Sequence, residues 1–257
     1  MKKLFVILLA LGLGLSASAQ RFSDAGGYND FEVSDIIDIS CLSHLDFGFN
    51  GLVSGKSDAD YADNTSFFQS QKFGLNLIEL IINPFKGFAL TVGADVNWNW
   101  YHMNKDFFWI PYEPVPGGIA IARENGTHVT VAPKELYGFK EINKSELSVC
   151  TFSFPIDLNF QAHKVCLTLG ASPELNMKGR TRFKGIQYDG TVVKEYKTGA
   201  RRSNAIATNF FTYNVHAALS YGGLGIFGLY RPGAQFQDGY GPQFQTWTVG
   251  LILGLGI

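Results

Sequence analysis

Between residues 88 and 101 apolar and polar positions alternate: Phe88, Leu90, Val92, Ala94, Val96, Trp98 and Trp100 fall on one face, and Ala89, Thr91, Gly93, Asp95, Asn97 and Asn99 on the other. Period-two patterning marks a strand with one face in an apolar medium. The run exceeds the roughly 5 or 6 residues of an ordinary soluble strand and suits a tilted strand crossing a bilayer, which takes about 9 to 11.

Five further segments repeat the pattern. Ile37, Ile39, Cys41, Leu45, Phe47 and Phe49 oppose Asp38, Ser40, His44, Asp46, Gly48 and Asn50. Cys150, Phe152, Phe154, Ile156, Leu158 and Phe160 form a second apolar set, and Val165, Leu167, Leu169 and Ala171 a third. Tyr213 to Tyr221 and Trp247 to Ile257 behave alike. Two segments are weaker. In one, Phe73, Leu75 and Leu77 give way to Ile78, Leu80 and Ile82 on the opposite parity, which implies a bulge or an apolar patch inside. The other, residues 224–231, is glycine-rich and ambiguous in its facing. The pattern predicts an all-β fold: an eight-stranded antiparallel up-and-down transmembrane β-barrel with long extracellular loops.

Connection lengths test this independently. Residues 51–69, 102–146, 179–209 and 232–243 are long gaps, whereas 84–87, 162–164 and 222–223 are tight. Short turns at one end and long loops at the other are the habit of outer-membrane barrels, and closure would pair residues 37–50 with 244–257. Phe47, Phe49, Trp98, Trp100, Tyr101, Phe211, Tyr213, Tyr230 and Trp247 fall toward the long-loop end, and Phe85, Phe88, Phe160 and Tyr221 toward the other. Two interfacial aromatic girdles are expected from this placement.

The chain opens Met1-Lys2-Lys3, continues with an apolar run from Leu4 to Leu15, and reads Ser16-Ala17-Ser18-Ala19 before Gln20. This predicts a signal peptide of residues 1–19 cleaved after Ala19, leaving residues 20–257 as the barrel domain and the outer membrane as destination. The run is short for a retained helix, and no later stretch of 18 apolar residues follows. A lipoprotein needs cysteine at the cleavage point, and the first is Cys41. Removing Lys2 and Lys3 from the 21 Lys and Arg leaves 19 against 22 Asp and Glu, a formal charge of −3. Nucleic acid is therefore an unsuitable partner. Cys41, Cys150 and Cys166 are too few for a disulfide framework, although export permits one bridge.

Within the long loops, Asn125-Gly126 separates Ile119-Ala120-Ile121 from Val129-Thr130-Val131, and Asp189-Gly190 separates residues 182–188 from 191–196. Both dipeptides favour two-residue hairpins, read here as strands continuing beyond the membrane. The hairpin reading also accounts for the Asn125-Gly126-Thr127 sequon.

The runs Asn209-Phe210-Phe211-Thr212-Tyr213-Asn214-Val215, Ser220-Tyr221-Gly222-Gly223-Leu224-Gly225-Ile226-Phe227, Gly239-Tyr240-Gly241-Pro242 and Thr248-Val249-Gly250-Leu251 closely resemble the PorT-like outer-membrane β-barrel family of Bacteroidota. The segment Phe152-Ser153-Phe154-Pro155-Ile156-Asp157-Leu158-Asn159 resembles that family's proline-containing central strand. The resemblance covers about a quarter of the chain and does not reach residues 102–146. It implies a porin-like outer-membrane barrel, with relatives linked to protein secretion and gliding, and it carries over no catalytic residues.

An eight-stranded barrel is just wide enough for its own side chains to fill it. The inward set Asp38, His44, Asp46, Lys72, Asp95, Asp157, Glu174 and His216 is expected to form an interior polar network. The excess of acids leaves a narrow cation-preferring path as the alternative. Lys178, Arg180, Arg182, Lys184, Lys194, Lys197, Arg201 and Arg202 make residues 178–202 strongly basic, a candidate contact for an anionic lipid or partner. His102 and His128 with Asp106 or Glu124 are the only catalytic candidates, and their spacing gives no triad or metal motif. The sequence therefore predicts a non-enzymatic barrel with a filled interior and no cofactor. Its loops would serve binding, adhesion or envelope organisation, with a channel or transport and secretion component as the alternative. Expected partners are outer-membrane lipids including lipopolysaccharide, the barrel-assembly machinery during biogenesis, and a protein or glycan at the loops.

Overall fold

The computed structural model describes residues 37–54, 65–104, 106–110, 113–115, 118–120, 130–198 and 206–255. The expected signal segment and the expected Asn125-Gly126 turn lie outside them. In chain order the strands are β1 (Ile37–Cys41), β2 (His44–Ser54), β3 (Gln71–Phe85), β4 (Phe88–His102), β5 (Phe107–Ile110), β6 (Glu113–Val115), β7 (Gly118–Ala120) and β8 (Thr130–Pro133). They continue with β9 (Phe139–Ser153), β10 (Ile156–Ala162), β11 (Val165–Gln187), β12 (Val192–Thr198), β13 (Phe211–Tyr221), β14 (Leu224–Arg231) and β15 (Phe244–Gly254).

The antiparallel pairings return to their starting point. β2 pairs β3, β3 pairs β4, and β4 pairs both β9 and β10. Those two pair β11, which leads through β13, β14 and β15 back to β2. β9 and β10 are one wall, because the register on β4 passes from Asp95↔Ser153 to Val92↔Ile156 by an equal step of three positions on each strand. Pro155 lacks an N–H and interrupts the ladder without shifting it. Its carbonyl still accepts from Gly93 N at 2.9 Å.

Three tight turns join neighbouring walls. Phe85 pairs Phe88, Ala162 pairs Val165, and Tyr221 pairs Leu224. Gly222 and Gly223 both have positive φ, 56° and 88°, as a two-residue hairpin turn demands. At the closing seam Gly48 faces Gly250, where a Cβ on Gly250 would sit 2.2 Å from the Phe47 carbonyl oxygen.

Two bulges correct the facing of long strands. The register of β3 against β4 moves from Asn76↔Asp95 to Ile78↔Ala94, so Leu77 is the extra residue. Below it Ile78 and Leu80 are exposed and Glu79 is buried. The parity change in the sequence is thus a bulge. In β11 the shift from Asn176↔Thr151 to Lys178↔Cys150 makes Met177 the extra residue.

Four expectations are corrected. Residues 37–50 are not one strand: Leu42 adopts a left-handed φ of 54°, breaking the extension, so β1 pairs the lower half of β3 while β2 alone meets β15. Tyr101 belongs to no girdle. It follows the outward Trp100 and is fully buried inside the ring. Of the two segments expected to pair, the described residues 119–120 lie in β7, which pairs β6, and 130–131 lie in β8, which pairs β5. The Asp189-Gly190 hairpin exists with a three-residue loop. Gln187 N donates to Thr191 O, and Gly190 takes a left-handed φ of 87°.

Packing is inverted relative to a water-soluble sheet. Ile156, Leu158, Phe160, Val165, Leu167, Leu169, Val215, Leu219, Ile226 and Leu251 are exposed on the outer wall. Asn76, Asn97, Asn99, Thr151, Asn176 and Asn214 are buried within it.

Candidate functional site

The interior is a set of linked polar side chains held by strand parity. Asp157 on β10 bonds His216 on β13 at 2.8 Å, His216 bonds Asn214 at 2.9 Å, and Asn214 Nδ2 donates to Glu174 Oε1 at 2.8 Å. Glu174 on β11 receives Arg231 from β14 bidentately along one guanidinium edge, Nη2 donating to Oε1 at 2.8 Å and Nε to Oε2. Arg231 Nη1 also donates to Thr246 Oγ1 at 2.8 Å and approaches the Tyr101 hydroxyl of β4 at 3.4 Å. β4 and β14 stand opposite each other in the ring, so this layer bridges the lumen from wall to wall.

A second cluster lies on β2 and β3. Lys72 Nζ donates to Asp46 Oδ2 at 3.0 Å and stands 5.1 Å from the Phe227 ring across the lumen. His44 lies 3.8 Å from Asp46 and 3.6 Å from Glu79. Asn76 donates to Asp95 at 2.9 Å. Of the expected interior set, His44, Asp46, Lys72, Asp95, Asp157, Glu174 and His216 thus lie in these networks. Asp38 does not: it is exposed on β1, where its carboxylate accepts from Ile39 N at 2.8 Å, because β1 hangs below the closing seam.

Sequence reasoning missed Arg231, Tyr101 and Glu79. Leu224, Ile226 and Tyr230 face outward, so parity on β14 held the signal for an inward Arg231. Glu79 was hidden by the Leu77 bulge.

Above this layer the mouth is closed by an apolar cluster of Leu52, Tyr101, Met103, Trp109, Val131, Leu147, Val149, Ile206, Phe236 and Phe244. Trp109 on β5 is its centre: the indole Nε1 donates to Tyr101 O at 3.1 Å, and the backbone N donates to Ser145 Oγ at 2.7 Å. Its ring packs beside Phe236 and Phe244 at 6.3 and 5.8 Å. Trp109 pairs Val131, which holds β8 against β5.

Among the described residues the basic segment is a strand pair, β11 and β12, joined by a turn. In β11, Arg180, Arg182 and Lys184 share the outward face, while Thr181 and Phe183 are buried. Lys178, Lys194 and Lys197 occupy β11 and β12, and Arg201 and Arg202 lie outside the described residues. On the same face Glu146 contacts Lys144 at 2.7 Å and His102 at 3.1 Å. Burial pushes the Glu146 carboxyl up, but hydrogen bonds from His102 and Lys144 and their charges outweigh it and hold it at about 2.

Of the catalytic candidates, His102 and Asp106 are among the described residues. His102 engages Glu146 and Asp106 engages Lys134, while Glu124 and His128 lie outside the described residues. Among the described residues no group of His, Cys, Asp and Glu is arranged to hold a metal, and no disulfide joins Cys41, Cys150 and Cys166.

No family model matches the chain, and no curated protein matches it. Among solved structures it is similar to Neisserial surface protein A at 9% identity, covering 85% of this chain and 96% of that one with a TM-score of 0.32. Outer membrane phospholipase A from Escherichia coli matches at 8% identity over 84% and 98%, TM-score 0.25. LpxR from Salmonella typhimurium matches at 7% identity over 85% and 86%, TM-score 0.24. At such overlap these likenesses assign neither a reaction nor a strand count.

Proposed function

We propose that the chain is an eight-stranded outer-membrane β-barrel whose filled and capped interior passes no solute, and which acts through its outer surface and loops. One observation carries the reading: Arg231 reaches from β14 to Glu174 on β11 and toward Tyr101 on β4, beneath the Trp109 cluster. An apolar outer wall around a polar interior suits lipid outside and a self-satisfied core within. The PorT-like pattern of residues 209–257 and the signal-like start of the chain agree with export to the outer membrane. A narrow channel would have to breach both the ion-pair layer and the cap. No catalytic role is included, since His102 and Asp106 serve ion pairs.

Purified full-length chain reconstituted into planar bilayers tests this. Silent membranes containing correctly inserted protein are expected. Discrete single-channel steps that disappear with heat-denatured protein would overturn the filled-interior reading.

A further inference from the structure

We infer that an open apolar dimple on the outer face of β13, β14 and β15, floored by Ala217 and Gly228, seats one acyl chain of an outer-leaflet lipid. The inference rests on the membrane placement proposed above.

Nothing among the described residues requires glycine at position 228. It stands inside β14 in unbroken register with Ala217 on β13 and Val249 on β15, so it serves no bulge. Its φ is not left-handed, and a Cβ added to it would meet no described atom within 4 Å. The nearby seam differs, since on Gly250 the same Cβ would strike the Phe47 carbonyl oxygen. Glycine weakens a strand interior, and where no bulge, bend or neighbouring strand calls for it, the remaining use is the approach of a ligand. Ala217 lies beside it on the same rung, so two adjacent strands lack side-chain height together.

The rim keeps this space open. Val215, Tyr230 and Trp247 stand one rung above it, toward the long loops, and both large rings are held away from Gly228 by contacts of their own. The Tyr230 hydroxyl donates to Gln245 Oε1, farther up β15. The Trp247 indole leans to the opposite side, over Gly51 of β2, where a Cβ would come within 2.2 Å of it, and it stacks on Phe67 at 5.3 Å. The space left is about 380 Å³. Three properties name its occupant. Tyrosine and tryptophan rings favour the headgroup level, so a site one rung below them falls among acyl chains. Its outward side chains Val215, Ala217 and Val249 form no hydrogen bonds, so what enters carries no polar group there. A dimple two strands wide and one rung high spans roughly 10 by 7 Å, far below the roughly 800 Å² that each partner brings to a stable protein interface. In lipid the gain is close packing rather than release of water, and a chain settles where the wall offers matching depth.

The test reconstitutes the full chain into phosphatidylcholine vesicles in which a small fraction of the lipid carries a photoreactive diazirine on one acyl chain. After illumination, labelled residues are located by mass spectrometry. Labelling around the dimple, at residues 215–219, 226–230 and 247–249, is expected to exceed that at residues 165–171 of the adjoining wall by at least about fivefold. Gly228→Leu fills the dimple and should remove the excess, with Gly228→Ala between the two. Because the added Cβ meets no described atom, both variants should keep the compact, fast-migrating form on unboiled gels. Even labelling along the wall, or an excess unchanged in Gly228→Leu, overturns the inference and leaves the membrane placement standing. Exclusion of label from this rung together with a doubled mass in native mass spectrometry gives the dimple to a second copy and also overturns it. No label anywhere on the outer wall overturns both.

Discussion

Replacing Arg231 by Met probes the interior at its most committed point. Arg231 is 2% exposed and Glu174 1%, and the pair exchanges two hydrogen bonds, with a third from Arg231 to Thr246. Removing the guanidinium leaves the Glu174 carboxylate buried with only the Asn214 and Thr212 donors, at 2.8 and 3.2 Å. Breaking one side of a buried ion pair costs about 3 to 5 kcal/mol, more than the intact pair contributes over an apolar substitute. Urea unfolding of protein refolded in micelles, followed by tryptophan fluorescence, reads this directly. With a slope of about 1 to 3 kcal/mol per molar urea, the midpoint should fall by roughly 1 to 3 M. Adding Glu174→Leu should recover much of that loss, because the stranded charge leaves with it. A single Arg231→Met within about 1 kcal/mol of wild type would refute the reasoning, as would a double variant as unstable as the sum of the two singles.

Three further outcomes follow from other parts of the ring. Trp109→Ala should destabilise the cap by about 3 to 5 kcal/mol and expose the long loops to protease, yet leave planar bilayers silent because the Arg231 layer beneath still bridges the walls. Gly250→Ala places a Cβ 2.2 Å from the Phe47 carbonyl oxygen and 2.5 Å from Gly48 Cα, so the β2–β15 seam must open; loss of the compact, fast-migrating form on unboiled gels is the readout. Glu146 is held at about 2, below the ordinary 4.5, so its stabilisation of the β4–β9 edge is whole above pH 4.5 and lost as pH falls through 2. Hydrogen exchange at β9 should rise across that window in wild type and stay flat in Glu146→Gln.

Strand positions were largely legible because each wall needs an apolar and a polar face, and alternation writes that need into the chain. β4 and β14 follow the expected spans closely. The seven interior residues followed from parity alone. Parity is a local signal and failed where geometry changed along a strand. The left-handed Leu42 removed Asp38 from the interior, and Tyr101 sits one residue past the outward Trp100. The cap was not legible, since Trp109, Ile206 and Phe236 come from connections with no periodicity and meet only through tertiary packing.

The two bulges show why a chain of this kind carries such irregularities. In a soluble domain a misplaced polar residue can often reach water. In the proposed membrane placement, with lipid outside the wall and packed side chains inside, an unpaired charge on the wrong face has no such escape. A long strand must therefore reverse its parity wherever its surroundings reverse. Leu77 performs the reversal on β3, bringing Glu79 inside to within 3.6 Å of His44 instead of leaving it on the apolar wall. Met177 performs it on β11 at the upper edge of that wall, releasing Arg180, Arg182 and Lys184 outward and drawing Phe183 in. Deleting Met177 should accordingly do more damage than neutralising all three cations. It would drive their charges into the apolar cap and expel Phe183 from its contact with Phe139, whereas the neutral variants keep the register intact.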